Sequence, residues 1–168
     1  MPNLYILRGA PGTGKTSLAA ELHKALRCPW FEFGWIPEFR NLNPHTEISY
    51  EDEVALSTEN LILVTKNYFA HGFEAVIVSD LEDERIPDFA DAFHDIADVR
   101  ILTLDCDDET RTNRILTRDN GNEYRDTTSA QKIAEKIRRT PYTGELRLDS
   151  GNMTPEEICK SVLLAQNR

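Results

Sequence analysis

Apolar residues in this chain follow two alternating patterns. The first is the short unbroken run. Asn3 to Arg8 reads NLYILR, Glu74 to Asp80 reads EAVIVSD, and 99 to 105 reads VRILTLD. Each predicts a strand buried on both faces. Trp30 to Phe33, launched after Pro29, and Glu145 to Asp149 predict two further strands. The second pattern is helical. Leu18, Ala19, Leu22, Ala25 and Leu26 recur at helical spacing between Lys15 and Arg27. Val54, Leu61, Val64, Tyr68 and Phe69 predict the inward face of a long helix from Ser49 to His71, ended by Gly72 in a left-handed conformation. Pro87 opens a short helix carrying Phe89, Ala90 and Phe93. A polar helix follows from Asp108 to Arg118, and then a polar stretch, 119 to 126, whose Asn120-Gly121 pair predicts a mobile loop. Thr128 and Gln131 resemble a capping box for a helix reaching Arg139. Thr154, Pro155 and Glu157 make a second helix start, with cap, proline and acid in sequence.

Strands alternating with helices predict an α/β fold: one three-layer domain over residues 1–168, with a five-stranded parallel sheet and helices on both faces. Right-handed crossovers leave few topologies, and a ligand is expected at the carboxyl ends of the strands. Three features meet that edge: residues 9 to 16, the segment after Phe33, and Ser79-Asp80.

Residues 9 to 16 read GAPGTGKT. Gly9, Gly14, Lys15 and Thr16 match the spacing GxxxxGK[ST] between a strand and a helix, the P-loop context. Such a loop turns tightly so that backbone N–H groups of Ala10, Pro11-Gly12, Thr13, Gly14 and the first helical residues through Ser17 surround a phosphate, Pro11 supplying only its rigid turn. The helix dipole adds positive potential. Lys15 is expected on the β- and γ-phosphates, and the Thr16 hydroxyl on Mg²⁺. Asp80, ending an apolar strand, is the second candidate for the Mg²⁺ shell.

Composition narrows the partners. The formal net charge of -10 opposes nucleic-acid backbones and anionic membrane surfaces. No run approaches the roughly 18 apolar residues that span a bilayer. The N-terminus carries no export signal, and the three cysteines, Cys28, Cys106 and Cys159, are spaced for neither a disulfide framework nor zinc. The expectation is a cytoplasmic monomer or homodimer with reduced core thiols. The four histidines, His23, His45, His71 and His94, lack metal-ligand spacing.

The phosphate chemistry is narrowed by what is missing. A guanine-reading Asn-Lys-x-Asp segment is absent, since TKNY (65 to 68) falls within a predicted helix, and no DxxG follows Asp80. Ring-forming mechanical ATPases end the acidic strand in Asp-Glu, whereas this one reads Ser-Asp-Leu. A kinase needs an acid near the second strand for the acceptor hydroxyl and arginines that neutralise the moving phosphoryl group. Both are present. DETRTNRILTR carries Arg111, Arg114 and Arg118, with Arg125 in the loop beyond, which predicts a lid around 111–130. Trp30, Phe31, Phe33, Trp35 and Phe39 are dense enough to furnish both core packing and an aromatic wall for an acceptor.

These stretches, together with PWFEFGW (29 to 35), EAVIVSD, LTLDCDDETRTNRILTRD (102 to 119) and ELRLDSGNMTPEEI (145 to 158), resemble the P-loop small-molecule kinases grouped with shikimate kinase, gluconate kinase and chloramphenicol phosphotransferase. The resemblance implies strand order 2-3-1-4-5, Mg-ATP as donor and a small hydroxylated acceptor. It also implies that Arg114 packs on adenine and that Arg118 or Arg125 acts from the lid. In the chloramphenicol enzyme an aspartate base closely follows Trp-x-x-Phe-Gly. Here Trp30-x-x-Phe33-Gly34 is followed by Trp35, Ile36 and Pro37, so the candidate bases are Glu38, then Glu32. That departure argues against chloramphenicol as acceptor. The expected function is transfer of the ATP γ-phosphate to a hydroxyl of a small metabolite or antibiotic. An ATP-binding regulator or slow ATPase, and a nucleoside or nucleotide kinase, are the alternatives.

Overall fold

The first apolar run becomes the central strand of the sheet. The computed structural model describes residues 1–35, 48–119 and 123–165. Strand β1 (Asn3–Arg8) is flanked by β3 (Ala75–Ser79) and β4 (Asp98–Asp105). The short β2 (Trp30–Glu32) pairs with β3, and β5 (Leu146–Asp149) with β4. All pairings are parallel, in the order 2-3-1-4-5.

Alternation along β1 supplies both faces of the core. Tyr5 and Leu7 pack with Leu18 and Leu22 of α1 (Lys15–Leu26) and with Ile158 and Val162 of α6 (Pro155–Ala165). Leu4 and Ile6 pack on the opposite face with Leu61 of α2 (Tyr50–Ala70), and with Ile86 and Phe89 of α3 (Ile86–Asp91) and the following Phe93. A strand with helices on both sides has no polar face, so its sequence reads as an unbroken apolar run. Helices α4 (Asp108–Thr117) and α5 (Thr127–Arg139) follow β4.

Several expectations shift in detail. β2 ends at Glu32, and Phe33–Trp35 already turn as a 3-10 helix. In α2 the buried stripe runs through Val54, Thr58, Leu61 and Thr65, while Val64 is 36% exposed. Thr65 takes the inward position because it lies four residues beyond Leu61, so Val64 falls to its solvent side. Helix α5 is not capped by a Thr128/Gln131 box. Asp126 is the cap, and its carboxylate accepts from the N–H and the hydroxyl of Ser129. A carboxylate placed one residue before the first helical turn reaches those donors directly, which the Thr128 hydroxyl, already inside the helix, does not. Gln131 instead donates to Glu135. Asn120-Gly121 of the expected loop, Ile36, Pro37, Glu38, Phe39, Arg40 and His45 lie outside the described residues. Cys28, Cys106 and Cys159 are free and buried, and no described helix is long and apolar enough to cross a membrane.

The start of α6 forms as its residue pattern predicts. The Thr154 N–H donates to Glu157 at 2.8 Å and the Glu157 N–H donates back to the Thr154 hydroxyl at 3.3 Å. This box holds Ile158 and Val162 against the β1 face. Thr154→Ala is expected to destabilise the protein by about 1 kcal/mol, measured as a lowered urea midpoint with unchanged slope.

Candidate functional site

The loop between β1 and α1 folds as glycine chemistry requires. Gly12 has φ +85, and a side chain there would meet Ile115 at 2.8 Å and Arg111 at 3.0 Å on α4. The loop therefore lies directly against the helix that carries the arginines, and only glycine fits both the dihedral and the gap. Gly14, also left-handed, opens α1 without a side-chain cap, which leaves its first N–H groups facing the site.

Lys15 folds back over the loop. Its Nζ donates to the Gly9 carbonyl at 2.8 Å and the Ala10 carbonyl at 3.3 Å, and it lies 3.2 Å from Asp80 Oδ1. Asp80 sits just past β3 in the left-handed region at φ 64, a conformation that Asp tolerates better than most side chains. The Thr16 hydroxyl donates to Glu32 Oε1 at 2.8 Å. Loop lysine, helix-start hydroxyl and two strand-end carboxylates thus meet at one edge of the sheet. Trp30 lies beside them, its indole N–H donating to Ser79 at 3.0 Å and its ring 5.1 Å from that of the exposed Trp35. Phe31 and Phe33 turn instead to the α2–α3 core.

Three cavities adjoin along this edge. The middle one, about 440 Å³, is lined by the loop from Pro11 to Ser17 apart from Thr13, and by Asp80, Arg114, Thr117, Arg118 and Tyr124. A second, about 180 Å³, shares Gly14, Ser17 and Arg114 with it and reaches Ser150, Met153 and Pro155. A third, about 290 Å³, shares Pro11, Lys15 and Asp80 with the middle one and extends to Arg8, the 82–84 segment, Ile133 and Lys136. Lys15 and Asp80 therefore form the wall between the middle and third cavities, and Arg114 the wall between the middle and second.

The arginines divide. Arg114 donates to the Ser150 carbonyl at 2.7 Å and Arg118 to the Tyr124 carbonyl at 2.6 Å. Arg118 lies beyond the last turn of α4, with extended backbone, yet faces the same cavity as Arg114. Burial, and then the charge of Arg125, draw the Arg118 guanidinium below its ordinary value, so an anion at this place would relieve it. Arg125 donates to the carbonyls of Tyr124 and Arg118 and does not line the cavity. Arg111 is 1% exposed and bound to Asp108, so it belongs to the core rather than to a lid.

Residue-by-residue reading of the sequence passed over Arg8. Its guanidinium is buried at the end of β1, one residue before the loop. It binds Asp83 at 2.5 Å, Glu145 at 2.9 Å and the Thr140 carbonyl at 2.8 Å, and lies 4.4 Å over the Tyr142 ring. A lone charge ending NLYILR was the available signal. Ser150, Met153 and Tyr124 were also passed over, and Pro155 was legible only as a helix start; the fold alone brings them to the site. Ile133 and Lys136, whose i, i+3 spacing puts them on one face of α5, were likewise passed over.

Fold and loop define a P-loop nucleotide-binding domain. The chain belongs to the AAA domain family, whose model matches residues 6–137. Among solved structures it is similar to a sugar kinase from Janibacter sp. HTCC2649, at 17% identity and TM-score 0.71, covering 99% of this chain and 95% of that one. It is similar to a gluconokinase from Sinorhizobium meliloti 1021, at 18% identity and TM-score 0.66, covering 99% and 95%. A shikimate kinase from Bacteroides thetaiotaomicron matches at 14% identity and TM-score 0.66, covering 99% of each chain. At such identities the likeness is one of fold. No curated protein matches the sequence.

The Arg8 cluster makes a pH prediction. Burial pushes Glu145 upward, but bonds from Thr103 and Arg147 outweigh it and hold the carboxyl below its ordinary 4.5. A folded value below the unfolded one means that the stabilisation is present above the unfolded value and is lost as pH falls through the folded one. Glu145→Gln should cost about 3 kcal/mol at pH 7, because it strips the buried Arg8 charge of one of its two carboxylates. The gap to the wild type should narrow as pH falls below 4.5, as followed by urea unfolding at a series of pH values.

Proposed function

We propose that the protein is a nucleotide-dependent kinase that transfers the γ-phosphate of ATP to a hydroxyl of a small molecule. The observation that carries this reading is the row of three cavities with Lys15 and Asp80 at one junction. The order suits a base beside Arg114 and Ser150, phosphates over the loop, and an acceptor in the cavity beyond Lys15. A regulator or bare ATPase has no use for that last cavity.

Each residue then has a task. Amides from Ala10 to Ser17, apart from that of Pro11, together with the α1 dipole hold the phosphates. Lys15 leaves the Gly9 and Ala10 carbonyls for the β- and γ-phosphates. Arg114 lies along the base, Arg118 faces the phosphoryl group, and Arg125 steadies Arg118 and Tyr124 through bonds to their carbonyls. The acceptor oxygen forms a bond to the γ-phosphorus while the bond to the β–γ bridging oxygen breaks, giving ADP. The acceptor proton passes to a carboxylate.

Which carboxylate is a question of position. Asp80 borders both the phosphate and the acceptor cavities, whereas Glu32 borders neither and is bound by Thr16. We therefore assign the proton to Asp80, and to Glu32 the support of the Thr16 hydroxyl. This exchanges the roles expected of them from the sequence alone. Glu38, the other expected base, lies outside the described residues. Mg²⁺ fits here, since the available donors are the Thr16 hydroxyl and the Glu32 and Asp80 carboxylates, all hard oxygens. Thr16 would hold it, with Glu32 or Asp80 in the outer shell, and when bound it neutralises phosphate charge.

Lys15→Ala should abolish ATP-dependent transfer. Asp80→Asn should lower kcat by about 100-fold or more. Glu32→Gln should mainly raise the Mg²⁺ concentration needed for half-maximal rate. Transfer is read as an acceptor one phosphoryl group heavier by mass spectrometry. Near-wild-type turnover by Asp80→Asn would remove Asp80 from the mechanism.

A further inference from the structure

The third cavity carries a charge balance that selects its ligand. Its cationic lining is Arg8, Lys15 and Lys136, and its carboxylates are Asp80, Glu82, Asp83 and Glu84. Every cation already has a carboxylate partner within the same lining: Arg8 with Asp83, Lys15 with Asp80 at 3.2 Å, and Lys136 with Glu84. Arg8 is claimed a second time by Glu145. The carboxylate left over is Glu82, which pairs with none of these cations and accepts a bond from the neutral Tyr50 hydroxyl. The rest of the wall is apolar, from Leu81, Ile133 and Ile137.

An acidic acceptor fares badly in such a space. Among the described residues of the lining it would find no cation without a partner and would face a surplus of carboxylate. It would also lie next to the nucleotide's own phosphates, which draw Lys15 away from Asp80 and leave the lining more negative still. An ammonium group meets the opposite conditions. It finds Glu82 at the wall, needs no displaced ion pair, and offsets the charge that Lys15 withdraws. The carbon skeleton has Leu81, Ile133 and Ile137 to lie on, and about 290 Å³ admits only a small molecule.

We propose that the phosphoryl acceptor is an amino-bearing alcohol, an amino sugar or amino alcohol in chemical class, whose ammonium group is held by Glu82. This rests on the transferase reading given above.

The test uses the full chain with Mg-ATP and three pools of hydroxylated compounds: amino sugars and amino alcohols; neutral sugars, cyclitols and nucleosides; sugar acids and sugar phosphates. The fastest phosphorylated product is expected from the amino pool. For the best member, kcat/KM should exceed that of its carboxylate counterpart by about 100-fold, the usual scale of a like-charge penalty in a closed site. In Glu82→Lys that ratio should fall by at least about tenfold, with ATP affinity unchanged. A fastest product from the neutral or acidic pool overturns the proposal and leaves the transferase reading standing. No product from any pool, with ATP binding intact and dependent on Lys15, overturns the transferase reading and this inference with it. An unchanged ratio in Glu82→Lys removes Glu82 from recognition and overturns the assignment.

Discussion

One buried guanidinium holds the site together. Arg8 ends the central strand, one residue before the phosphate loop, and its side chain is 1% exposed. A charge taken out of water at that depth is tolerable only with full pairing. It receives carboxylates from Asp83 and Glu145, two oxygens from Thr140, and the face of Tyr142, whose hydroxyl in turn donates to the Asp83 carbonyl. These groups come from the segment after β3, the end of α5 and the approach to β5. The pairing raises the Arg8 pKa despite the opposing effect of burial, so the guanidinium stays charged wherever the protein is folded. Satisfying one side chain thus fixes how three segments stand around the loop.

The floor of the site follows from that constraint. With Asp83 pinned, the turn from Asp80 to Glu84 cannot drift, and Asp80 stays opposite Lys15. With the end of α5 pinned, Ile133 and Lys136 stay across from that turn. A second arginine does the same one strand over. Arg138 of α5 binds Asp105 at the end of β4 and also Asp108 at the start of α4. Both carboxyl ends beside the loop are therefore tied to one helix. Anything that shifts α5 moves Ile133 and Lys136 of the third cavity and, through Arg138 and Asp108, the helix that carries Arg114 of the middle one, a coupling the proposed transfer would need.

What the sequence made legible is what local chemistry decides. GAPGTGKT shapes itself through backbone dihedrals within eight contiguous residues. The parallel sheet shows in unbroken apolar runs, and the α6 cap in three neighbouring side chains. What stayed hidden depends on partners far along the chain. Arg8 meets Asp83 and Glu145 across 75 and 137 positions, and nothing near NLYILR names them. The arginines of α4 show the same limit at closer range. Arg111 and Arg114 are three apart on a mostly polar helix with no apolar stripe to orient it. Its rotation is set by Ile115 and Arg111 pressing on Gly12, a contact from across the loop. Val64 failed for a related reason: Val54, Leu61, Tyr68 and Phe69 do face the core, but α2 also buries Thr58 and Thr65, and the polar residues shift the stripe away from Val64.

The acidity of the chain is arranged rather than spread. A polyphosphate must approach a protein of formal charge -10, which by itself repels it. The repulsion is overcome locally, where loop amides, Lys15, Arg114 and Arg118 face a single carboxylate, Asp80. One residue pair further on, past Lys15 and Asp80, the balance reverses and carboxylates outnumber cations. In the proposed reaction the phosphoryl group crosses that boundary. Moving negative charge toward a negatively lined space raises the barrier unless something positive waits there or the proton leaves to a neighbouring carboxylate. The change of sign therefore places the demand for compensating charge on the acceptor side. It also explains why the two carboxylates nearest Lys15 and Thr16, Asp80 and Glu32, cannot be interchangeable: only Asp80 stands on the boundary itself.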